Sequence, residues 1–195
     1  MIDRINAAAR RVPTWVVYLI LLLPAPYTFY LALSGGLGPD PVKPLEHKYG
    51  EIALQLLIAG LCVSPLRQYT HINLIKFRRT LGVLAFTYVA LHLLVWALLD
   101  VQTIGRVIED IIKRPYITIG MAGFVLLLPL ALTSNNWSVR RLGPRWRKLH
   151  KLTYIAVVLG GVHFIWLVKG IQLEPLIYMA VILALLALRY KRLLR

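Results

Sequence analysis

The chain has 195 residues, of which 58% are hydrophobic and 16% charged, and a formal net charge of +15. That balance excludes a disordered chain, which needs low hydrophobicity, and it leaves no room for a sizeable soluble module. One cysteine, Cys62, lies inside an apolar run, so neither an intrachain disulfide nor a thiolate metal cluster can form.

Several continuous apolar stretches reach the ~20 residues needed to cross a hydrocarbon core. A transmembrane barrel would instead show alternating segments of about ten residues. The expected fold is therefore all-α, a polytopic membrane bundle of six transmembrane helices. In chain order the spans fall at roughly 14–34, 49–67, 80–99, 116–134, 150–168 and 174–190. We take residues 1–195 as a single integral membrane domain, with 49–168 as its core.

The first span follows a short basic segment and stays apolar to about Leu33, which reads as an uncleaved helix rather than a signal peptide. Pro24 and Pro26 should kink it, which is tolerable where neighbours satisfy the carbonyls the prolines release. Loop charge then orients the bundle. The N-terminus carries Arg4, Arg10 and Arg11, and the loop between spans two and three carries Arg67, Lys76, Arg78 and Arg79. The loop before span five and the start of that span carry Arg140, Arg141, Arg145, Arg147, Lys148 and Lys151. The tail carries Arg189, Lys191, Arg192 and Arg195. Together these are 17 of the 23 basic residues, whereas the opposite side pairs six with seven of the eight acids. Lys and Arg accumulate on the cytoplasmic side, so both termini are expected inside. The positive charge reports topology and attraction to anionic lipid headgroups, not a nucleic-acid surface. No sequence repeat is evident.

Five histidines punctuate the chain. His47, among Pro39, Pro41 and Pro44, and His71, within RQYTHINLIKFRR, read as solvated loop residues. His92 lies in RRTLGVLAFTYVALHLLVWALLD, about twelve residues past the inner arginines, which is roughly 18–20 Å of helix. His163 lies thirteen residues past His150 in WRKLHKLTYIAVVLGGVHFIW, again at a depth of about 20 Å. Spans three and five run in the same direction, so two imidazoles arrive at one level. Each could hydrogen-bond a neighbouring helix, but a depth-matched pair at an expensive membrane position points to shared ligation of a heme iron. A zinc ion would want further His, Cys or carboxylate ligands, and none is near in sequence.

His150 cannot share that iron across ~20 Å of helix. At its level span three offers Arg78 and Arg79, which suit heme propionates or a flavin phosphate through bidentate hydrogen bonds. Three roles suit His150: ligand to a second heme, contact with a flavin, or a cap at the headgroups. Trp96 and Trp166 read as interface anchors, with heme-edge contact as the alternative. Gly120, Gly123, Gly160 and Gly161 would admit either a flat macrocycle or a close-packed helix.

The segments SPLR, FRRTLGVLAFTYVALH and NNWSVRRLGPRWRKLHKLTYIAVVLGGVHFIW, in the six-span layout, resemble the MsrQ (YedZ) family, related to the ferric reductase-like transmembrane superfamily. The resemblance covers nearly the whole chain. It implies a heme b subunit in the bacterial inner membrane that passes electrons outward to MsrP, a periplasmic molybdopterin enzyme reducing methionine sulfoxide in oxidised envelope proteins. It also implies association with FMN, and electrons drawn from quinol or a cytoplasmic flavin reductase. His92 and His163 match the family's deep heme ligands, and His150 its third implicated histidine. Ferric reductases and NADPH oxidases carry two histidines on each of two helices, whereas span three has only one here. The sequence carries no C-terminal FAD/NADPH domain of the oxidase kind, so the reductant is expected to be external. Methionine chemistry is expected on the partner. The competing readings are a stand-alone ferric or quinone reductase and a non-redox transporter or structural membrane protein. Transporters usually show broken helices or charged midplane sites.

Overall fold

The computed structural model describes residues 1–168 and 170–189. The basic tail residues Lys191, Arg192 and Arg195, and Tyr190 at the end of the sixth expected span, lie outside the described residues. All regular structure among the described residues is helical. The chain divides into two compact units, Met1–Val107 and Ile108 onward.

The first unit contains α1 (Ile2–Arg11), α2 (Thr14–Leu22), α3 (Pro24–Leu33), α4 (Val42–Thr70) and α5 (Arg78–Val95). Helix α1 has no buried residue and was not expected from hydropathy, because it is amphipathic and short. It is tied down by polar contacts. Asn6 donates from Nδ2 to the His71 carbonyl at 3.1 Å and accepts from the Asn73 N–H at 2.8 Å. Lys76 Nζ donates to the carbonyls of Arg10 and Val12 at 2.9 and 2.7 Å.

The first expected span is α2 followed directly by α3, broken at Leu23 where Pro24 and Pro26 withdraw two N–H groups. Of the carbonyls the prolines release, that of Leu22 finds a donor on a neighbouring helix, as a membrane interior requires. The Tyr88 hydroxyl of α5 reaches the Leu21 carbonyl at 2.8 Å and that of Leu22, which Pro26 cannot serve, at 3.4 Å. The Tyr49 hydroxyl of α4 donates to the Ala25 carbonyl at 2.8 Å. Tyr49 and Tyr88 meet edge to face, their centroids 6.0 Å apart. The two tyrosines, with Leu45, Leu61, Leu84 and Ala85, form the covered core where α4 packs on α5.

Helix α4 is longer than the expected 49–67. It begins behind Pro41 and carries Pro44 in its first turn, where a missing N–H costs little. It ends at His71, whose φ of 59° is left-handed. His47 is consequently an exposed helical residue rather than part of a loop, whereas His71 does lie just beyond a helix end. Helix α5 continues as a π-helical turn, Trp96–Val101. Trp96 opens that turn and is only 7% exposed, so protein covers it, contrary to the expected interface anchor.

Helix α6 (Ile104–Lys113) crosses the boundary between the units along the sequence. It too was not expected, and it exposes Ile104, Ile108 and Ile112 at helical spacing. The second unit continues with α7 (Pro115–Leu132), α8 (Asn136–Leu142), α9 (Pro144–Leu149), α10 (Leu152–Leu167) and α11 (Leu173–Ala187). Pro115 and Pro144 each sit at a first helical position, and the Asn135 side chain caps α8 by accepting from the Ser138 N–H at 2.8 Å.

Helix α10 packs on α7 and on α11, and Val157 and Ile182 are wholly covered. Gly161 permits the close approach of α11, because a Cβ there would stand 2.7 Å from Met179 Cε. Trp166 is 57% exposed, as an interface anchor would be.

Five helical segments are long and apolar enough to cross a membrane: Thr14–Leu33, Val42–Thr70, Ile75–Val101, Pro115–Leu132 and Pro144–Leu167. The sixth apolar helix, Leu173–Ala187, is shorter. The segment from Trp146 to Trp166 is not one uninterrupted helix, since α9 and α10 join through a turn at His150–Lys151.

Candidate functional site

His92 lies in the last turn of α5, half-buried against α4. Its Nδ1 is 2.9 Å from the backbone carbonyl of Glu46. A carbonyl can only accept, so in the neutral ring Nδ1 carries the hydrogen and the basic lone pair sits on Nε2. One turn along α4 from Glu46, Gly50 lies against the same edge of the ring. A Cβ on Gly50 would stand 3.1 Å from Nδ1 and 3.3 Å from Cε1.

His163 on α10 has the same seat in the second unit. Its Nδ1 is 2.7 Å from the Tyr116 carbonyl of α7, which again places the lone pair on Nε2. Gly120, one turn along from Tyr116, faces the ring so closely that a Cβ would meet Nδ1 at 2.9 Å and Cε1 at 3.0 Å. The Tyr116 ring stands 6.2 Å from the imidazole, tilted by 39°. A second histidine nitrogen held by a backbone carbonyl is the usual way in which a metal-bound imidazole is oriented and its tautomer fixed. In each seat the carbonyl thus fixes the Nδ1 edge of the ring, and in the neutral form Nε2 is the basic atom. Such an arrangement suits a metal whose remaining positions are filled by something other than side chains.

His150 differs in kind. It forms the C-terminal cap of α9, and its ring stacks on Trp146 with centroids 3.9 Å apart and planes 27° from parallel. Its Nε2 is 3.1 Å from Thr133 Oγ1. The Thr133 hydroxyl donates its hydrogen to the Pro129 carbonyl at 2.6 Å, one turn back in α7, a carbonyl that also accepts from the Thr133 N–H at 3.0 Å. Toward His150 the hydroxyl therefore accepts, so Nε2 carries the hydrogen and the lone pair moves to Nδ1. Trp146 Nε1 donates to the Thr133 carbonyl at 2.9 Å, completing the cluster. His150 thus has the opposite tautomer from His92 and His163.

Arg78 and Arg79 open α5 as exposed residues, roughly 20 Å of helix before His92. Gly123 lies in ordinary contact with Leu159 and Gly161 serves helix packing, whereas Gly120 faces a histidine. Glu46, Gly50 and Tyr116 were not singled out from sequence. The available signal was spacing: each deep histidine follows a glycine by 42 or 43 residues.

Comparison with known proteins gives the class first. Residues 48–161 match the family described as the ferric reductase like transmembrane component. The chain is 50% identical over 179 residues, 91% of its length, to the protein-methionine-sulfoxide reductase heme-binding subunit MsrQ of Agrobacterium fabrum, covering 83% of that protein. It is 49% identical to the same subunit of Brucella anthropi and 50% to that of Brucella ovis, in each case over 91% of this chain and 81% of the relative. No solved structure matches it significantly. The chain belongs to the ferric reductase-like transmembrane proteins and, within them, to the MsrQ family.

Proposed function

We propose that this membrane protein is a heme b electron-transfer subunit whose single deep heme is ligated by His92 and His163. The observation that carries the reading is the pair of matched seats: each histidine is fixed by a backbone carbonyl as the tautomer whose Nε2 can bind iron. A heme bound there supplies a one-electron ferric/ferrous couple. The two histidines hold the iron, and the carbonyls of Glu46 and Tyr116 hold the rings. The apolar helices around them keep water from the site.

The loop charges put both termini of a six-span bundle in the cytoplasm, which makes the arginine-rich end the electron entry side. Arg78 and Arg79 offer bidentate donors to heme propionates or to the phosphate of FMN. His150, stacked on Trp146 and bonded to Thr133, is the third candidate, for contact with a flavin or as ligand to a second iron. Electrons come from quinol or a cytoplasmic flavin reductase. They leave on the periplasmic face of the inner membrane to a molybdopterin methionine sulfoxide reductase of the MsrP type, where the methionine chemistry takes place. Residues 1–195 act as one membrane domain, with 49–168 as its heme-binding core.

The test is electron delivery. Purified protein, reduced under anaerobic conditions, is mixed with the purified molybdoenzyme and a methionine sulfoxide peptide. The expected result is reoxidation of the heme only when both are present. Heme that stays reduced removes the partnership and leaves a stand-alone ferric or quinone reductase.

A further inference from the structure

The seat of the deep histidines is built twice, seventy residues apart in the chain, although the sequence shows no repeat. In each copy a carbonyl and a glycine one helical turn apart face one edge of an imidazole on the antiparallel neighbour. Other glycines on the same helices do nothing of the kind. Gly60 on α4 has nothing within 4 Å of an added Cβ, and Gly123 on α7 would meet only Leu159 at 3.7 Å and the Ala156 carbonyl at 3.9 Å.

We propose that Gly50 and Gly120 are positioning residues that seat the His92 and His163 rings for iron, by letting each Nδ1 edge lie close enough to the helix to reach its carbonyl. The proposal rests on the heme reading above.

The physical argument concerns what can give way. An added Cβ at 2.9 or 3.1 Å from Nδ1 is below ordinary van der Waals contact. The atom it meets is not the end of a flexible chain but the edge of a rigid ring held by a hydrogen bond. To relieve the overlap, the ring rotates about χ2 or the helices part, and either motion lengthens the bond to Glu46 or Tyr116. That bond raises the basicity of a metal-bound imidazole, and a more basic ligand favours ferric over ferrous iron. Weakening it therefore moves the heme midpoint potential upward. Gly120 has the tighter seat and the shorter hydrogen bond, so its substitution gives the larger shift.

The experiment compares Gly120→Ala and Gly50→Ala with the controls Gly123→Ala and Gly60→Ala in purified, heme-loaded protein. The readouts are the potentiometric midpoint and the low-spin ferric g values in electron paramagnetic resonance. The expected result is an upward midpoint shift with altered g values in Gly120→Ala, a smaller shift of the same sign in Gly50→Ala, and wild-type values in both controls. Wild-type midpoints and g values in Gly120→Ala and Gly50→Ala overturn the inference while leaving the heme intact. So does failure of these two variants to accumulate in membranes where the controls do, because the glycines then serve packing alone. A wild-type protein that takes up no heme removes the underlying reading instead, and the wild-type spectrum alone separates that outcome.

Discussion

Tyr88→Phe tests how the broken first span is held. The substitution keeps the ring, which is fully buried and packed edge to face on Tyr49, and removes only the hydroxyl. The hydroxyl makes the 2.8 Å bond to the Leu21 carbonyl and the longer one to Leu22, which Pro26 leaves without a helical donor. Leaving a buried carbonyl unserved costs ~1–3 kcal/mol in soluble proteins, but interhelical hydrogen bonds in a membrane bundle average only about 0.6 kcal/mol and reach about 1.7. A single donor hydroxyl is lost, so we place the cost near the middle, at about 1 kcal/mol. For a chain of this size that corresponds to a fall in Tm of roughly 2–4 °C. The assay is thermal unfolding in detergent, followed by size-exclusion chromatography of heated samples, with the heme spectrum recorded alongside. Stability should fall while the spectrum stays that of the wild type. An unchanged Tm would refute the account of how the proline break is satisfied. A fall as large as that of Tyr88→Leu would show that ring packing, not the hydroxyl, was being measured.

Three further expectations follow from other contacts. Thr133→Val removes the hydroxyl that His150 uses but keeps the carbonyl that Trp146 uses, so it should cost about 1 kcal/mol by thermal unfolding and leave the spectrum of the heme proposed at His92 and His163 unchanged. A changed deep-heme spectrum would contradict the separation of the two sites. Asn6→Ala removes both bonds that tie α1 to the segment after α4, and should speed tryptic cleavage after Arg10 and Arg11; unaltered cleavage would show that Lys76 suffices. In a Cys62→Ser background, Gly105→Cys should react with an impermeant maleimide from the periplasmic side, and Arg141→Cys only after the membrane is opened. The reverse pattern inverts the topology.

Much of the fold was legible because apolar runs of spanning length leave little choice in a bilayer, and five of the expected spans correspond to long apolar helices. The short helices α1, α6 and α8 were not, because a helix of two or three turns with polar residues at a boundary leaves no hydropathy peak. The need for donors beside Pro24 and Pro26 could be read from the prolines, but not which side chains would answer it, since Tyr88 lies sixty-odd residues away. His92 and His163 stood out by depth. Their seats did not, because a backbone carbonyl has no residue signature and Gly50 resembles any helix-packing glycine until the ring is seen beside it. His150 was marked as the odd one by its position among arginines, and the Thr133 bond supplies the physical difference, a tautomer opposite to that of the deep pair.

The most direct test of the account is the dithionite-reduced minus oxidised spectrum of purified protein, taken at matched protein concentration for the wild type, His92→Ala and His163→Ala. The account predicts a b-type heme spectrum in the wild type and its loss in both variants, with each variant still present in the membrane. A colourless wild type expressed with ample heme, or a heme retained unchanged in either variant, would contradict it.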